Sequence, residues 1–537
     1  MKIARKLLTL ALALTMVLSV VAIGGAGTKA FADDTDPVEI TVIMNRDISD
    51  LSPWFTGSAS RRNFLWAIYD TLMVPAYMGQ PAAEMDHGMA KSWDQPDPQT
   101  INVELFDYIH DVLGNPIKAE DVVYSYEYAL NEPWGEMIAA YLGSIEATGD
   151  YTLTIHLSNT ALGGTESVLS QIPIVSKQWH ANASAGDRTS NPATTGSYKV
   201  EKLVSGSSLT LVPDENYWQT DESMRAFSRR QPYDKITLKV VLESNSIGIS
   251  MKNKEADVAR GLTAIDMEDF PEDEWTVFPN LGTMYYCVLF NNDNSVFADN
   301  VNLRKAVLTG IDAEQVRLAF GNTATSGGVC KTMGTPNCVD YQEAWNDEEY
   351  FDYDADKAAQ LMADAGYPGG AGLEPIRVLY CSNSLADAGM TVVQYYLTQL
   401  GFQVTLIGTD QAGFDGMKYD DTAWDICIDQ KGSTLNYLAS GWNGLFNPAY
   451  YSNGSVCFTH DDKLEELVNV AADATTHTDE TVSAVHEYLK ENAYCAGLFY
   501  QFEYYVGQKG LQIAQDFGGN CTCTYYTLAD DYHTVVK

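Results

Sequence analysis

The sequence of 537 residues has no cysteine before Cys287. We therefore expect no leader that ends in a lipid-attachment cysteine. After residue 23, no segment has the ~18 unbroken apolar residues that a membrane-crossing helix needs. We therefore expect the chain that follows the leader to lie on one side of a membrane without a lipid anchor of its own.

Basic residues are scarce. The chain has 33 Lys and Arg against 72 Asp and Glu, which gives a net charge of −39. Without the four basic residues among residues 1–32 the net charge is −43. Nucleic-acid binding needs clustered Lys and Arg, so that class of partner is disfavoured. The acidic excess could favour a cationic ligand, but it is more typical of a solvated extracellular surface.

Catalytic motifs are also lacking. The sequence contains no G-x-S-x-G, no H-E-x-x-H and no phosphate-binding G-x-x-x-x-G-K pattern, so it supports neither a serine hydrolase, a zincin nor a P-loop enzyme. Among 72 acidic residues, candidate carboxylate pairs carry little information, and a secreted glycoside hydrolase stays open as an alternative. We predict no catalytic residues, no cofactor and no metal site.

The chain begins with a secretory leader. Lys2, Arg5 and Lys6 precede an apolar run over residues 7–23, and Ala30-Phe31-Ala32 supplies a cleavage site. This order predicts a signal peptide over 1–32, with a membrane anchor as the alternative reading. About 505 residues remain after cleavage, enough for two or three domains.

Strand and helix patterns alternate along the rest of the chain. Apolar alternation predicts strands at 38–43, 101–104, 151–157, 376–380 and 403–407, and helical spacing predicts helices at 61–73, 119–130 and 388–400, the last ending at Gly401. This alternation indicates an α/β fold with open sheets.

Five segments carry a shared, ordered set of motifs. The first joins D-L-S-P at 50–53 to A-I-Y-D-T-L at 67–72, and the second is G-N-P-I-K-A-E-D-V-V-Y-S at 114–125. The third joins T-T-G-S-Y at 194–198 to D-E-N-Y-W at 214–218. The fourth runs from F-N at 290–291 through F-A-D-N-V-N-L-R-K-A-V at 297–307 to I-D at 311–312. The fifth is Y-D-A-D-K-A-A-Q-L-M-A-D-A-G-Y at 353–367, where Asp354 is expected to cap a helix that Gly366 ends.

In this order the segments resemble the oligopeptide/dipeptide-type solute-binding proteins of ABC importers, extracellular solute-binding protein family 5. The resemblance implies an exported protein without enzymatic activity, a monomer that captures a small peptide or related solute and delivers it to a membrane ABC permease. A receptor-like protein that signals is a further alternative.

The family resemblance also implies a periplasmic-binding-protein-like clamp of two lobes with an extra small domain inserted in lobe one. Lobe one is then expected at 33–75, 192–281 and 501–537, the inserted domain at 76–191, and lobe two at 282–500.

The resemblance places the ligand between the lobes. Asp429 in W-D-I-C-I-D-Q matches the family segment whose acidic residue receives a peptide's ammonium group, which a buried carboxylate can do through a charge-assisted hydrogen bond. A strand-end aspartate without that role is the alternative, and the ligand then lacks a free amine. The other candidate ligand contacts are Tyr285, Tyr286, Trp442, Asn443, Phe55, Gly57 and Ser58, for which a core role is the alternative.

Nine cysteines in an exported chain permit disulfides. Cys330 and Cys338 bracket a loop that could close as a small ring. The resemblance implies that Cys287 and Cys427 lie in one central sheet, where they either pair or remain free buried thiols.

Overall fold

The computed structural model describes residues 38–56, 64–77, 79–433, 436–449, 451, 454–513, 523–524 and 526–528. The predicted signal peptide, Gly57 and Ser58 lie outside these residues. Within them, no helix is both long and apolar enough to cross a membrane.

Five sheets contain the strands of the described residues. In chain order the strands are β1 Glu39–Met44, β2 Met73–Val74, β3 Asp86–His87, β4 Ala90–Asp97, β5 Thr100–Leu105, β6 Leu142–Ala147, β7 Thr152–Leu157, β8 Tyr198–Val204, β9 Ser208–Pro213, β10 Lys235–Val240, β11 Val258–Leu262, β12 Trp275–Asn280, β13 Tyr285–Phe290, β14 Gly327–Val329, β15 Ile376–Cys381, β16 Val404–Thr409, β17 Ile426–Lys431, β18 Cys495–Gln501, β19 Glu503–Gln508, β20 Leu511–Ile513 and β21 Tyr526–Leu528.

Helices cover the sheets and fill the connections between strands. In chain order they are α1 Leu65–Ile68, α2 Ala119–Ala129, α3 Glu136–Ala139, α4 Gly164–Ser170, α5 Lys177–Asn182, α6 Ala185–Ser190, α7 Ser244–Lys252, α8 Val301–Gly310, α9 Ala313–Ala319, α10 Ala355–Asp364, α11 Ser384–Gln399, α12 Gln411–Met417, α13 Leu438–Phe446, α14 Asp462–Ala471 and α15 Asp479–Asn492.

Two large mixed sheets organise the fold. The seven-stranded sheet has the order β12-β19-β11-β1-β10-β9-β8, with β1 parallel to both β10 and β11. The six-stranded sheet has the order β14-β18-β13-β17-β15-β16, with β15 parallel to β16 and β17. The chain passes between the sheets twice, from β12 to β13 and from β18 to β19, so the two sheets form the two lobes of a clamp.

A smaller sheet interrupts the first lobe. Strands β4, β5, β7 and β6 form it in that order, all antiparallel, between β1 and β8 of the seven-stranded sheet.

The six-stranded sheet is apolar on both faces. Val288 and Ile428 belong to one buried cluster, while their strand neighbours Leu289 and Cys427 belong to the other. Successive side chains of a strand point to opposite faces, so each strand contributes to both clusters. Helices cover each face, as the near-continuous apolar strands require.

Most of the predicted elements are confirmed, and the ends of the predicted strands agree with the observed ends within two residues. Asp354 caps α10 by accepting a hydrogen bond from the Lys357 N–H at 2.9 Å. Gly401 follows the end of α11 with φ 96°, a left-handed conformation that glycine adopts without strain. The predicted helix at 61–73 is wrong in extent, because α1 is short and Tyr69 is already extended.

Candidate functional site

A pocket of about 270 Å³ lies at one edge of the six-stranded sheet. Strands β15, β16 and β17 run parallel and end at this edge, which is where open α/β sheets bind ligands. The residues that line the pocket are Tyr286, Phe320, Tyr380, Cys381, Asn383, Ala386, Gln411, Phe414, Lys418, Ile428, Asp429, Gln430 and Lys431.

Both connections between the large sheets lie at the same edge. Tyr285, the first residue of β13, is paired with Lys431 at the end of β17 and with Tyr500 near the end of β18. Residues 281–284 and Phe502 therefore adjoin the edge that carries the pocket. The Phe502 N–H donates to the Ser326 carbonyl at 2.9 Å.

Asp429 is held in the pocket by two hydrogen-bonding partners. Its Oδ1 accepts from the Gln430 N–H at 2.7 Å, and its Oδ2 lies 2.5 Å from Lys431 Nζ. The side chains of Asp429 and Lys431 are 10% and 12% exposed, so this ion pair is nearly buried. Burial opposes the charge of Lys431, but attraction to Asp429 outweighs it and raises the lysine pKa above its ordinary value.

Aromatic rings form the apolar part of the pocket. Tyr286 stacks on Phe499 with ring centroids 4.7 Å apart and contacts Phe320 at 4.8 Å. Burial raises the pKa of Tyr286, so its hydroxyl stays protonated and can donate a hydrogen bond. The pocket thus joins an aromatic wall to a charged strand end.

Of the eight candidate ligand contacts, Asp429 and Tyr286 lie together in this pocket. Tyr285 and Trp442 instead lie in the buried core, and the Trp442 Nε1–H donates to the Met333 carbonyl at 2.8 Å. Here the structure favours the core role that was the alternative for both rings.

The remaining candidates are spread over other parts of the chain. Asn443 is half-buried and accepts a hydrogen bond from Asn447 Nδ2 at 2.9 Å. Phe55 is half-buried and is not among the residues that line the pocket. Gly57 and Ser58 fall outside the described residues, so their ligand contact stays a prediction.

Lys431 and Lys418 line the pocket and were missed from the sequence. A signal for Lys431 was present, because residues two apart on a strand share a face, and Lys431 follows Asp429 by two. Lys418 comes from the end of α12 and pairs with Asp415 at 2.6 Å. No strand pattern links it to Asp429.

The four cysteines of the two possible disulfides are free thiols in the structure, which for Cys287 and Cys427 is the free-thiol alternative. In the ladder, Cys287 lies opposite Asp429, and Cys427 lies opposite Leu289. The two thiols are therefore diagonal neighbours, for which Cα separations of ~7–8 Å exceed the reach of a disulfide. Cys330 and Cys338 are each buried, and Cys338 Sγ lies 3.9 Å from Thr335 Oγ1.

One group in the described part of the chain has metal-ligand geometry. Glu348, His486 and Glu487 bring one ligand atom each within 4.8 Å of one another. Lys490 Nζ lies 3.0 Å from Glu348 and 2.9 Å from Glu487, so one lysine already forms ion pairs with both carboxylates.

Known proteins share both the sequence pattern and the fold. The chain is 24% identical over 485 residues to the oligopeptide-binding protein OppA of Bacillus subtilis, covering 82% of each chain. The crystal structure of the ABC transporter substrate-binding protein CtaP of Listeria monocytogenes matches with TM-score 0.75 and 17% identity, over 92% of this chain and 100% of CtaP. AppA of Bacillus subtilis, solved with a nonapeptide, matches with TM-score 0.68 and 16% identity, over 92% of this chain and 100% of AppA.

A family model gives the broadest assignment. The model for the middle part of the bacterial extracellular solute-binding proteins, family 5, matches residues 84–455, which include the small inserted sheet and most of the six-stranded sheet. The chain belongs to family 5 of the bacterial extracellular solute-binding proteins.

Proposed function

We propose that this protein captures peptides between its two lobes and delivers them to an ABC permease. Family 5 consists of solute-binding proteins, so capture and not catalysis is its activity. The pocket at the carboxyl edge of the parallel strands, beside both connections between the sheets, is the observation that carries the ligand site. OppA and the AppA complex are relatives whose names point to peptides.

In this proposal the ligand contacts Tyr286 through its apolar side chains and the Asp429 end of β17 through its polar groups. Gln411 and Gln430 offer amides that can both donate and accept hydrogen bonds from a peptide backbone. Such a set suits a ligand with alternating amide groups and variable side chains.

Closure of the lobes supplies the rest of the site. We assign lobe one to 33–75, 192–281 and 501–537, the inserted domain to 76–191 and lobe two to 282–500. A ligand held by both lobes shifts the population towards the closed form, which presents both lobe surfaces to the permease. Phe55, Gly57 and Ser58 would border the ligand from lobe one.

The site of action is outside the cytoplasmic membrane, as for the family. We propose that cleavage after Ala32 releases a mature monomer without a lipid anchor. N-terminal sequencing of the exported protein tests this part separately from binding.

Peptide binding is tested with the freshly purified mature protein by native mass spectrometry and by calorimetry against a pool of di- to pentapeptides. We expect a copurified or added peptide to bind at one site. The half-buried thiol of Cys381 lines the pocket, so bound peptide should slow its alkylation, and Cys381→Ser should remove that signal.

A test variant and a matched control variant show whether the peptide binds at this pocket. Asp429→Ala should weaken binding at least tenfold, while Asp364→Ala, at an exposed helix end, should leave it unchanged. Binding of oligosaccharides without any peptide response would overturn the peptide assignment. Cleavage of a saccharide would move the protein to the glycoside hydrolases.

A further inference from the structure

The proposed site contains a cation supplied by the chain itself. Lys431 Nζ lies 2.5 Å from Asp429 Oδ2, and both side chains are nearly buried. The other carboxylate oxygen accepts the Gln430 N–H at 2.7 Å. Both oxygens of Asp429 are therefore engaged before any ligand enters.

Strand geometry builds this pair into the site. Asp429 and Lys431 are two apart in β17, so their side chains leave the same face. The ladder with β13 fixes both positions, because Asp429 lies opposite Cys287 and Lys431 lies opposite Tyr285. The Lys431 side chain is therefore already ordered beside Asp429, and binding of a ligand costs it little further conformational entropy.

The electrostatics of the pocket disfavour a second ammonium at Asp429. A ligand amine within hydrogen-bonding distance of the carboxylate would also lie within a few ångströms of Lys431 Nζ, and like charges repel strongly in a nearly buried site. Lys418 adds another cation to the same lining. Lys418 pairs with Asp415, and the Asp415 side chain is 48% exposed while the Lys418 side chain is 19% exposed.

We propose that Lys431 takes the place of a ligand ammonium at Asp429, so that the protein selects peptides whose amino terminus is blocked and uncharged. The lysine has three N–H donors, and a blocked terminus presents an acyl carbonyl that can accept one of them. Lys431 is thus a specificity-determining residue, and Asp429 is its positioning partner. This inference rests on the proposed peptide-binding function.

The test compares two pools of tetrapeptides with identical sequences, one with free amino termini and one N-acetylated, by calorimetry with the mature protein. We expect the wild type to bind the acetylated pool at least tenfold more tightly. Equal or tighter binding of the free-amine pool would overturn the inference while leaving peptide binding intact. No binding of either pool would overturn the proposed function, and the inference with it.

Variants assign the selectivity to one side chain. Lys431→Gln should shift the ratio of the two affinities at least tenfold towards free-amine peptides, because Asp429 is then available to an ammonium. Lys431→Arg keeps the charge and should retain the wild-type preference. Lys418→Gln removes the other cation of the lining and should shift the ratio less than Lys431→Gln does, because Lys418 does not pair with Asp429. A ratio that does not move in folded Lys431→Gln, checked by circular dichroism, would overturn the role of Lys431. The wild-type ratio decides the inference if that variant does not fold.

Discussion

At the scale of single residues, His486 shows how burial controls charge in lobe two. Its ring stacks on Trp345 with centroids 4.3 Å apart, and its Nδ1 lies 3.0 Å from Thr332 Oγ1. Burial is the main cause that lowers the pKa of His486 to about 4, against a weaker opposing attraction from Glu487. The folded protein therefore keeps this imidazole neutral where the unfolded chain protonates it.

This pKa predicts a loss of stability in acid. Between pH 6.5 and 4 the unfolded chain binds the proton and the folded chain does not, so the free energy of unfolding falls as the pH falls. We expect His486 to contribute on the order of 2–3 kcal/mol to this fall. Urea unfolding from pH 7.5 to 4.5 should therefore show a shallower fall for His486→Gln than for the wild type.

The matched control is His460→Gln, because His460 is exposed. Its stability curve should run parallel to that of the wild type. Parallel curves for His486→Gln as well would contradict a neutral buried imidazole.

Asp70 is a second residue whose partners define its role. It is fully buried, accepts hydrogen bonds from the Tyr217 hydroxyl and the Trp218 Nε1–H at 2.8 Å each, and pairs with Arg229. Tyr217 and Trp218 belong to a sequence motif of the family resemblance, so the structure gives that motif a structural role in the first lobe.

Removing the charge of Asp70 should destabilise the protein strongly. Asp70→Asn leaves Arg229 buried without a counter-ion, and breaking such a pair costs about 3–5 kcal/mol. Chemical unfolding should show this loss. Glu104→Gln, which breaks the exposed Lys91–Glu104 pair, should change stability little, and an equally small effect of Asp70→Asn would contradict the role of the buried pair.

At the scale of secondary-structure elements, the sequence patterns predict the positions of strands better than they predict which residues meet in the folded chain. Apolar alternation predicts β5, β15 and β16, because apolar residues recur at every second position of each strand between clear turns. The same pattern overestimated the helix at α1, where apolar spacing continues but the backbone becomes extended at Tyr69. A motif predicts Asp429 as a candidate contact, whereas no sequence pattern indicates Lys418, because only the tertiary fold brings α12 to the end of β17.

One contact between elements joins the inserted sheet to lobe two. Residues 160–162, which follow β7, pair with residues 472–474, which follow α14. The Leu162 N–H donates to the Ala472 carbonyl at 2.7 Å, and the Ala474 N–H donates to the Thr160 carbonyl at 2.7 Å. The Thr160 hydroxyl also donates to the Asp473 carboxylate. We call this pair of segments the 160–474 latch.

The latch should loosen when its side-chain hydrogen bond is removed. Thr160→Val keeps the side-chain shape but removes the hydroxyl, and a lost hydrogen bond of about 1 kcal/mol corresponds to roughly fivefold faster local opening. Hydrogen exchange read by mass spectrometry should show this increase at residues 160–162 and 472–474. Thr154→Val, within the inserted sheet, is the control, and unchanged exchange at the latch in Thr160→Val would contradict its contribution.

At the scale of the whole molecule, the two connections and the latch should have opposite effects on lobe opening. We expect residues 281–284 and Phe502 to act as the hinge about which the two large sheets rotate, whereas the hydrogen bonds of the latch join the inserted domain to lobe two. Opening of the lobes must therefore break the latch contacts, and a ligand that contacts both lobes must favour their formation.

This coupling predicts a ligand-dependent change of size in solution. A compact chain of about 505 residues has a radius of gyration of roughly 23 Å, and open lobes increase it. Saturating peptide should lower the radius measured by X-ray scattering towards the compact value in both the wild type and Thr160→Val. Without peptide, Thr160→Val should have the larger radius, because the weakened latch shifts the population towards open molecules. A radius that stays constant while calorimetry shows peptide bound would mean that the lobes do not move, and capture would then occur in a rigid cleft.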